Sequence, residues 1–150
     1  MAAVYFDASA LVKLILRETD NLVARSIWSE AEVRHASRLS FVETRAAASA
    51  AHRNHQIDGD HYVVAVKSIG KIRTQLRSVH LTEEVGSHAA DLAHGHALKG
   101  ADAIHLASAL ALQDPALVFA TWDRRLHAAA QAVGLRVAPV AIAEHPPQPS

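Results

Sequence analysis

The chain has 150 residues, half of them apolar and 5% aromatic, with 15 Lys plus Arg against 15 Asp plus Glu. That length suits one domain able to bury roughly 68–70% of the surface its unfolded form exposes. The balanced charge excludes the global basic footprint of many nucleic-acid binders, so any contact with a polyanion has to be local; the absence of cysteine excludes disulfides, iron–sulfur clusters and thiolate zinc sites, and suits a reducing compartment.

The apolar run 3–6 predicts a buried strand, after which Ala10, Leu11, Leu14 and Ile15 recur at helical spacing. Residues 18–31 read as a helix with Thr19 and Asp20 as capping residues, 33–40 as a short connecting strand, and 40–54, alanine throughout, as a further helix. A helix over 58–77, opened by Asp58 or Asp60 and weakened at Gly70, leads to a strand over 78–82 and a helix over 83–98. The helix over 100–114 ends before Pro115; a buried strand at 116–123, a helix closed by Gly134 and a strand over 136–142 follow. The tail 144–150 is expected to be disordered, leaving 1–143 as one domain. Strands alternating with helices predict an α/β fold with a central parallel sheet of roughly four to five strands flanked by helices. The N-terminus lacks the pattern of a secretory leader and no apolar run approaches the ~18 residues of a membrane span, so a soluble cytoplasmic protein is expected.

In open α/β sheets, ligands bind beyond the carboxyl ends of the strands. Asp7 directly follows the first strand, and Asp123 ends the run LVFATWD. Glu43 falls in the first turn after the strand ending near Ser40, and Asp102 opens the helix that leads into LVFATW. Four acids therefore converge on one edge of the predicted sheet. Two carboxylates about 5 Å apart repel by roughly 3 kcal/mol at an effective dielectric near 20, so four cannot all stay ionised without compensation. A divalent cation compensates them. Oxygen donors without a histidine or cysteine requirement select Mg²⁺ or Mn²⁺ over zinc, and the water such an ion activates suits phosphodiester cleavage.

The segments VYFDASALVKL (4–14), SFVETRAAASA (40–50), GADAIHLASALAL (100–112) and ATWDRRLHAAAQAVGL (120–135) together resemble the four acidic motifs of PIN-domain ribonucleases, in particular the VapC-type toxins of bacterial and archaeal toxin–antitoxin pairs. The match covers almost the whole chain in the family's order and spacing. The resemblance implies a PIN-like fold and a Mg²⁺- or Mn²⁺-dependent endoribonuclease toxin that inhibits translation, held inactive by a cognate antitoxin and assembled as a homodimer. It implies Asp7, Glu43, Asp102 and Asp123 as the catalytic acids, with Asp7, Asp102 and Asp123 the main metal ligands and Glu43 assisting the metal or its water. Ser9 matches the family's serine or threonine near the metal, and Thr121 its threonine just before the fourth acid. Trp122 departs from the smaller residue usual there.

Other readings stand beside these. Ser40 and Glu43 are spaced as a capping box, and Ser9 as a cap of the first helix. Asp102, Asp123, Glu83 and Glu84 lie where acids favour a helix dipole, and Glu18 has the position of a solvated residue. His105, three residues after Asp102, either faces the same cleft or packs beneath it. His52, His55, His88, His94 and His96 invite a zinc reading, but they lie on alanine-rich helices without cysteine partners. Arg124 and Arg125, beside Asp123, are the candidate RNA contacts; Lys67, Lys71, Arg73 and Arg77 read either as a solvated face or as a further set of phosphate contacts. Trp28 lies in an apolar stripe and, under the resemblance, is a candidate antitoxin contact. Two alternative functions remain: an aspartate-nucleophile phosphatase, which expects a second acid where Ser9 stands, and a catalytically silent PIN-like binding module.

Overall fold

The computed structural model describes residues 2–16 and 19–143. Five parallel strands form one sheet: β1 (Val4–Phe6), β2 (Arg34–Ser37), β3 (Arg77–Val79), β4 (Val118–Ala120) and β5 (Arg136–Ala138), in the order β3-β2-β1-β4-β5. Tyr5 pairs with His35 on one side and Phe119 on the other. The chain leaves β1 toward β2 and β3, then returns to lay β4 and β5 on the opposite side. The crevice between the carboxyl ends of β1 and β4 is therefore the point where strand order reverses, which is where open α/β sheets bind ligands.

Both faces of the sheet are covered. Tyr5 and Phe119 point to one face and pack with Leu106, Leu117 and Leu126, all of them fully buried. This face carries α5 (Glu83–His96), α6 (Gly100–Ala111) and α7 (Arg124–Ala132). Val4 and Phe6, one residue to either side of Tyr5, point the other way and pack with Ala10 and Leu11 of α1 (Ala8–Ile15) and with Trp28 of α2 (Asn21–Glu30). The alternation follows from the two-residue side-chain period of a strand, and burial on both faces explains why β1 reads as unbroken apolar sequence. Two long helices, α3 (Leu39–Arg53) and α4 (Gly59–Gln75), pair through Ala48, Ala65 and Ile69. Alanine at those positions lets the two helix backbones come close. Each fully buried leucine or phenylalanine stabilises the fold by about 1.5–3 kcal/mol.

Several boundaries differ from the sequence expectation. Asp20 adopts a left-handed φ of 67° and makes no side-chain cap bond. The strand expected over 78–82 lies at Arg77–Val79, because Thr82 is used to cap α5, accepting from the Val85 amide at 3.2 Å. The last strand stops at Ala138, since Pro139 has no N–H for the ladder. Asp58 does open α4, accepting from the His61 amide at 2.8 Å. Glu18 and the tail 144–150 lie outside the described residues.

Candidate functional site

Asp7 is the first residue beyond β1. Its N–H donates to the Ala120 carbonyl across to β4, and its side chain caps α1. Oδ1 accepts from the Ala10 amide at 2.8 Å and from Ser9 Oγ at 2.7 Å, while Oδ2 accepts from Thr121 Oγ1 at 2.5 Å. The cap of this helix is thus Asp7 and not Ser9. Ser9 Oγ in turn accepts from the Trp122 amide at 2.9 Å, and Thr121 Oγ1 accepts from the Asp123 amide at 3.0 Å. Two hydroxyls therefore stitch the turn after β1 to the turn after β4 and hold the acids of both turns in one frame. Asp7 is only 3% exposed. Burial pushes its carboxyl above the usual carboxylate range, against the opposing influence of the nearby His105 imidazole and the bonds from Thr121, Ser9 and Ala10.

Asp123 caps α7, its Oδ1 accepting from the Leu126 amide at 2.9 Å. Asp102 lies in the first turn of α6. Its carboxyl is pushed up by burial first, then by the negative charges of Asp123 and Asp7, and also by Glu43. Asp102 is therefore within electrostatic range of Asp7, Glu43 and Asp123, the other three acids predicted from sequence. Among the described residues, no three His, Asp or Glu side chains are grouped so that they could hold a metal ion as they stand.

The capping box expected at Ser40 and Glu43 is absent. Because α3 begins at Leu39, Ser40 is already inside the helix; its Oγ is buried and has no hydrogen-bond partner among the described residues. Glu43 instead accepts at Oε1 from His105 Nε2 at 2.6 Å. His105 is 1% exposed, so it packs beneath the cleft and also reaches into it. On its other side, Nδ1 lies 2.8 Å from Tyr5 Oη, which accepts from the Ser37 amide at 3.1 Å. Sequence reasoning missed Tyr5 and Ser37. The available signal was a lone hydroxyl-bearing ring in an otherwise apolar strand.

The remaining predicted residues are less central. Arg124 and Arg125 are exposed beside Asp123, donating to the Ala143 and Ala97 carbonyls at 2.9 and 3.5 Å. Trp122 packs against the Phe6 and Leu11 cluster with its indole N–H buried and without a hydrogen-bond partner among the described residues. Trp28 is half-buried between Phe6, at a ring distance of 5.1 Å, and the Arg34 guanidinium, at 4.7 Å, so its faces are engaged within the chain. Glu83 and Glu84 occupy the first turn of α5 and Lys67, Lys71, Arg73 and Arg77 are exposed; Arg73 lies over the Phe41 ring at 4.0 Å.

The model of the PIN domain family matches residues 4–132. The chain is 50% identical over 139 residues to Ribonuclease VapC45 of Mycobacterium tuberculosis (strain CDC 1551 / Oshkosh), covering 93% of this chain and 96% of that protein. Among solved structures, it is similar to Mycobacterium tuberculosis VapC20, a Sarcin-Ricin loop cleaving toxin, with a TM-score of 0.66 at 17% identity over 89% of this chain and 96% of that one. It is also similar to VapBC-1 from nontypeable Haemophilus influenzae, with a TM-score of 0.60 at 13% identity over 91% and 96% of the two chains.

Proposed function

This chain belongs to the PIN-domain family and is a VapC-type ribonuclease, and from that footing we propose that it is a Mg²⁺-dependent endoribonuclease toxin whose site is built from Asp7, Glu43, Asp102 and Asp123. The observation that supports the site assignment is the frame in which Ser9 and Thr121 tie Asp7 to the Asp123 turn at the ends of β1 and β4, with Asp102 pushed up by burial first and then by the charges of Asp123, Asp7 and Glu43. The donor set suits a hard cation. It is all oxygen, as Mg²⁺ or Mn²⁺ prefers, and the Asp7 carboxylate uses three of its roughly four acceptor positions on protein donors, leaving one for a metal.

No three of these side chains stand together as a preformed site among the described residues, so Asp7, Asp102 and Asp123 would have to close on the ion with waters completing its shell, and Glu43 would assist at its edge. When bound, a divalent cation lowers the pKa of its water and stabilises charge on a phosphodiester under attack. The chain's own residues do the rest. Ser9 and Thr121 aim Asp7 and keep the two strand-end turns in register. Glu43 is positioned to orient a water or accept its proton, and Arg124 and Arg125 meet backbone phosphates that would otherwise be repelled by four carboxylates. The phosphatase alternative is disfavoured because it expects a second acid two residues past the nucleophile, where Ser9 stands and donates to Asp7 instead.

The partner in this reading is a cognate antitoxin, supported by the likeness to a VapBC fold. A recess of about 350 Å³ lies between α1, α3 and α4, walled by Leu11, Ile15, Phe41, Ile69 and Ile72 and flanked by Arg38 and Arg73; it suits an apolar segment carrying acids. Homodimerisation and action in the cytoplasm belong to the same reading; among the described residues no helix is long and apolar enough to cross a membrane. Residues 1–143 act as one nuclease domain, with 144–150 as its tail. The test is direct: purified protein should cleave RNA when Mg²⁺ or Mn²⁺ is added and stop when EDTA is added, and expression without antitoxin should arrest growth. RNA cleavage at an undiminished rate in EDTA would overturn the mechanism.

A further inference from the structure

Glu43 stands at the end of a chain of hydrogen bonds that crosses the sheet. The Ser37 amide at the end of β2 donates to Tyr5 Oη at 3.1 Å, Tyr5 Oη meets His105 Nδ1 at 2.8 Å, and His105 Nε2 meets Glu43 Oε1 at 2.6 Å. With the imidazole neutral and Glu43 accepting, the direction of donation follows from counting hydrogens. With its oxygen accepting from Ser37, the tyrosine hydroxyl turns its single hydrogen to Nδ1, and a neutral imidazole that accepts at Nδ1 carries its proton on Nε2. That proton points at Glu43. Ser37, Tyr5 and His105 are at most 3% exposed, and the Tyr5 ring is stacked on Phe119 at 5.3 Å and meets the His105 ring edge-on at 6.0 Å. The rings have no room to turn. No hydrogen bond among the described residues falls on the other oxygen, Oε2, of Glu43, and its side chain keeps 27% exposure toward the cleft.

We propose that His105 is a positioning residue for Glu43, its tautomer fixed by Tyr5, so that one carboxylate oxygen is clamped by the core and the other is presented to the cleft. The proposal rests on the reading that Glu43 belongs to the acidic site. Its logic is that of the groups behind metal-site ligands, whose loss typically costs 10–100-fold in metal affinity or activity. Without this clamp, a glutamate on the first turns of α3 could swing away from Asp7 and Asp102 by rotation about its own side-chain bonds. The sequence separation of 62 residues between Glu43 and His105 makes the clamp a tertiary device linking α3 to α6.

The experiment uses two substitutions that divide the imidazole's two functions. His105→Asn puts an amide near the position of Nδ1, keeping the Tyr5 contact and losing Glu43; His105→Gln reaches the position of Nε2 and restores a donor to Glu43. His105→Asn should bind Mn²⁺ about tenfold more weakly by calorimetry and cleave RNA about 10–100-fold more slowly, while His105→Gln should stay within about threefold of wild type in both. In the metal-free wild type at one fixed pH, imidazole ¹⁵N spectra should show His105 protonated at Nε2 and bare at Nδ1, and Tyr5→Phe should move the Nδ1 resonance. A protonated Nδ1 in the wild type, or a folded His105→Asn protein that binds Mn²⁺ and cuts RNA as the wild type does, would overturn the proposal. If His105→Asn fails to fold, the spectrum and His105→Gln decide, a folded glutamine variant tenfold weaker in Mn²⁺ binding counting against it. A wild type that binds Mn²⁺ with the expected spectrum yet never cleaves RNA would refute the nuclease reading and leave the positioning role standing.

Discussion

Replacing Asp7 by asparagine separates charge from structure at the centre of the crevice. Asparagine is as good an N-cap as aspartate, and its oxygen can keep the two donors now on Oδ1, Ser9 Oγ and the Ala10 amide. Its NH₂ then faces Thr121 Oγ1, which reverses from donor to acceptor; the hydroxyl has a lone pair to spare beyond the one taken by the Asp123 amide, and its hydrogen can turn to Ser9 Oγ, 3.3 Å away. The three bonds to a charged acceptor are worth about 1.5–3 kcal/mol each, but burying an ionised carboxylate costs several kcal/mol, and burial pushes the Asp7 carboxyl up against those bonds. Removing the charge should therefore leave the unfolding free energy of metal-free protein within about 1 kcal/mol of wild type at neutral pH. RNA cleavage should fall by more than about 100-fold, beyond the usual loss of a merely supporting group. The pH dependence has a definite sign. A carboxyl with its folded pKa raised above 3.8 binds more protons folded than unfolded, so its contribution to stability is greatest below 3.8 and is lost as pH rises through the raised value. Asp7→Asn should flatten that part of the profile. Urea unfolding in EDTA across pH, alongside cleavage of a quenched fluorescent RNA in Mg²⁺, reads both quantities. An asparagine variant that cuts RNA at the wild-type rate would refute the assignment, and one that unfolds at neutral pH would show that the charge itself is structural.

Thr121→Val removes the donor to Asp7 and strands the Asp123 amide, which should cost about 1–3 kcal/mol as a shift in urea midpoint at unchanged slope, whereas Thr121→Ser should retain most of it. Leu126→Ala, at a fully buried position one turn into α7, should lose about 2–5 kcal/mol by the same assay. Adding Mg²⁺ or Mn²⁺ at about a hundred times its Kd should stabilise the folded protein by about 2.7 kcal/mol, seen as a rise in Tm that EDTA reverses; no rise for wild type at saturating cation would count against the metal site. Arg125→Ala, at an exposed position beside Asp123, should weaken RNA binding and lower the slope of log affinity against log salt by about 0.7, the share of one phosphate contact on a single strand.

Two of the four candidate acids have a local structural role that is compatible with the functional one proposed for them. Asp7 caps α1 and Asp123 caps α7, so the helix dipoles that favour a carboxylate there also hold it at the sheet edge. Capping explains where these acids sit and leaves their second role open. Glu43 is the opposite case: its sequence pattern offers a capping partner at Ser40, and the fold uses it for His105 instead.

What the sequence determined by itself is what short-range periodicity controls. The apolar run of β1 followed at once by helical spacing, the capping residue Asp58, the alanine-rich α3 and α6 and the four acids at their beginnings or at strand ends are all encoded within a few residues of where they act, because hydrogen bonding and side-chain period within one element are local. The tertiary structure alone decided which of those ends meet. Thr121 reaches Asp7 across 114 positions of chain, Ser9 meets Trp122 across 113, and Tyr5 meets His105 across 100. Each contact depends on β4 lying beside β1 with β2 on its other side. That order is selected by which pairing buries both faces of the sheet at once, a sum over the whole core that no single stretch of sequence contains.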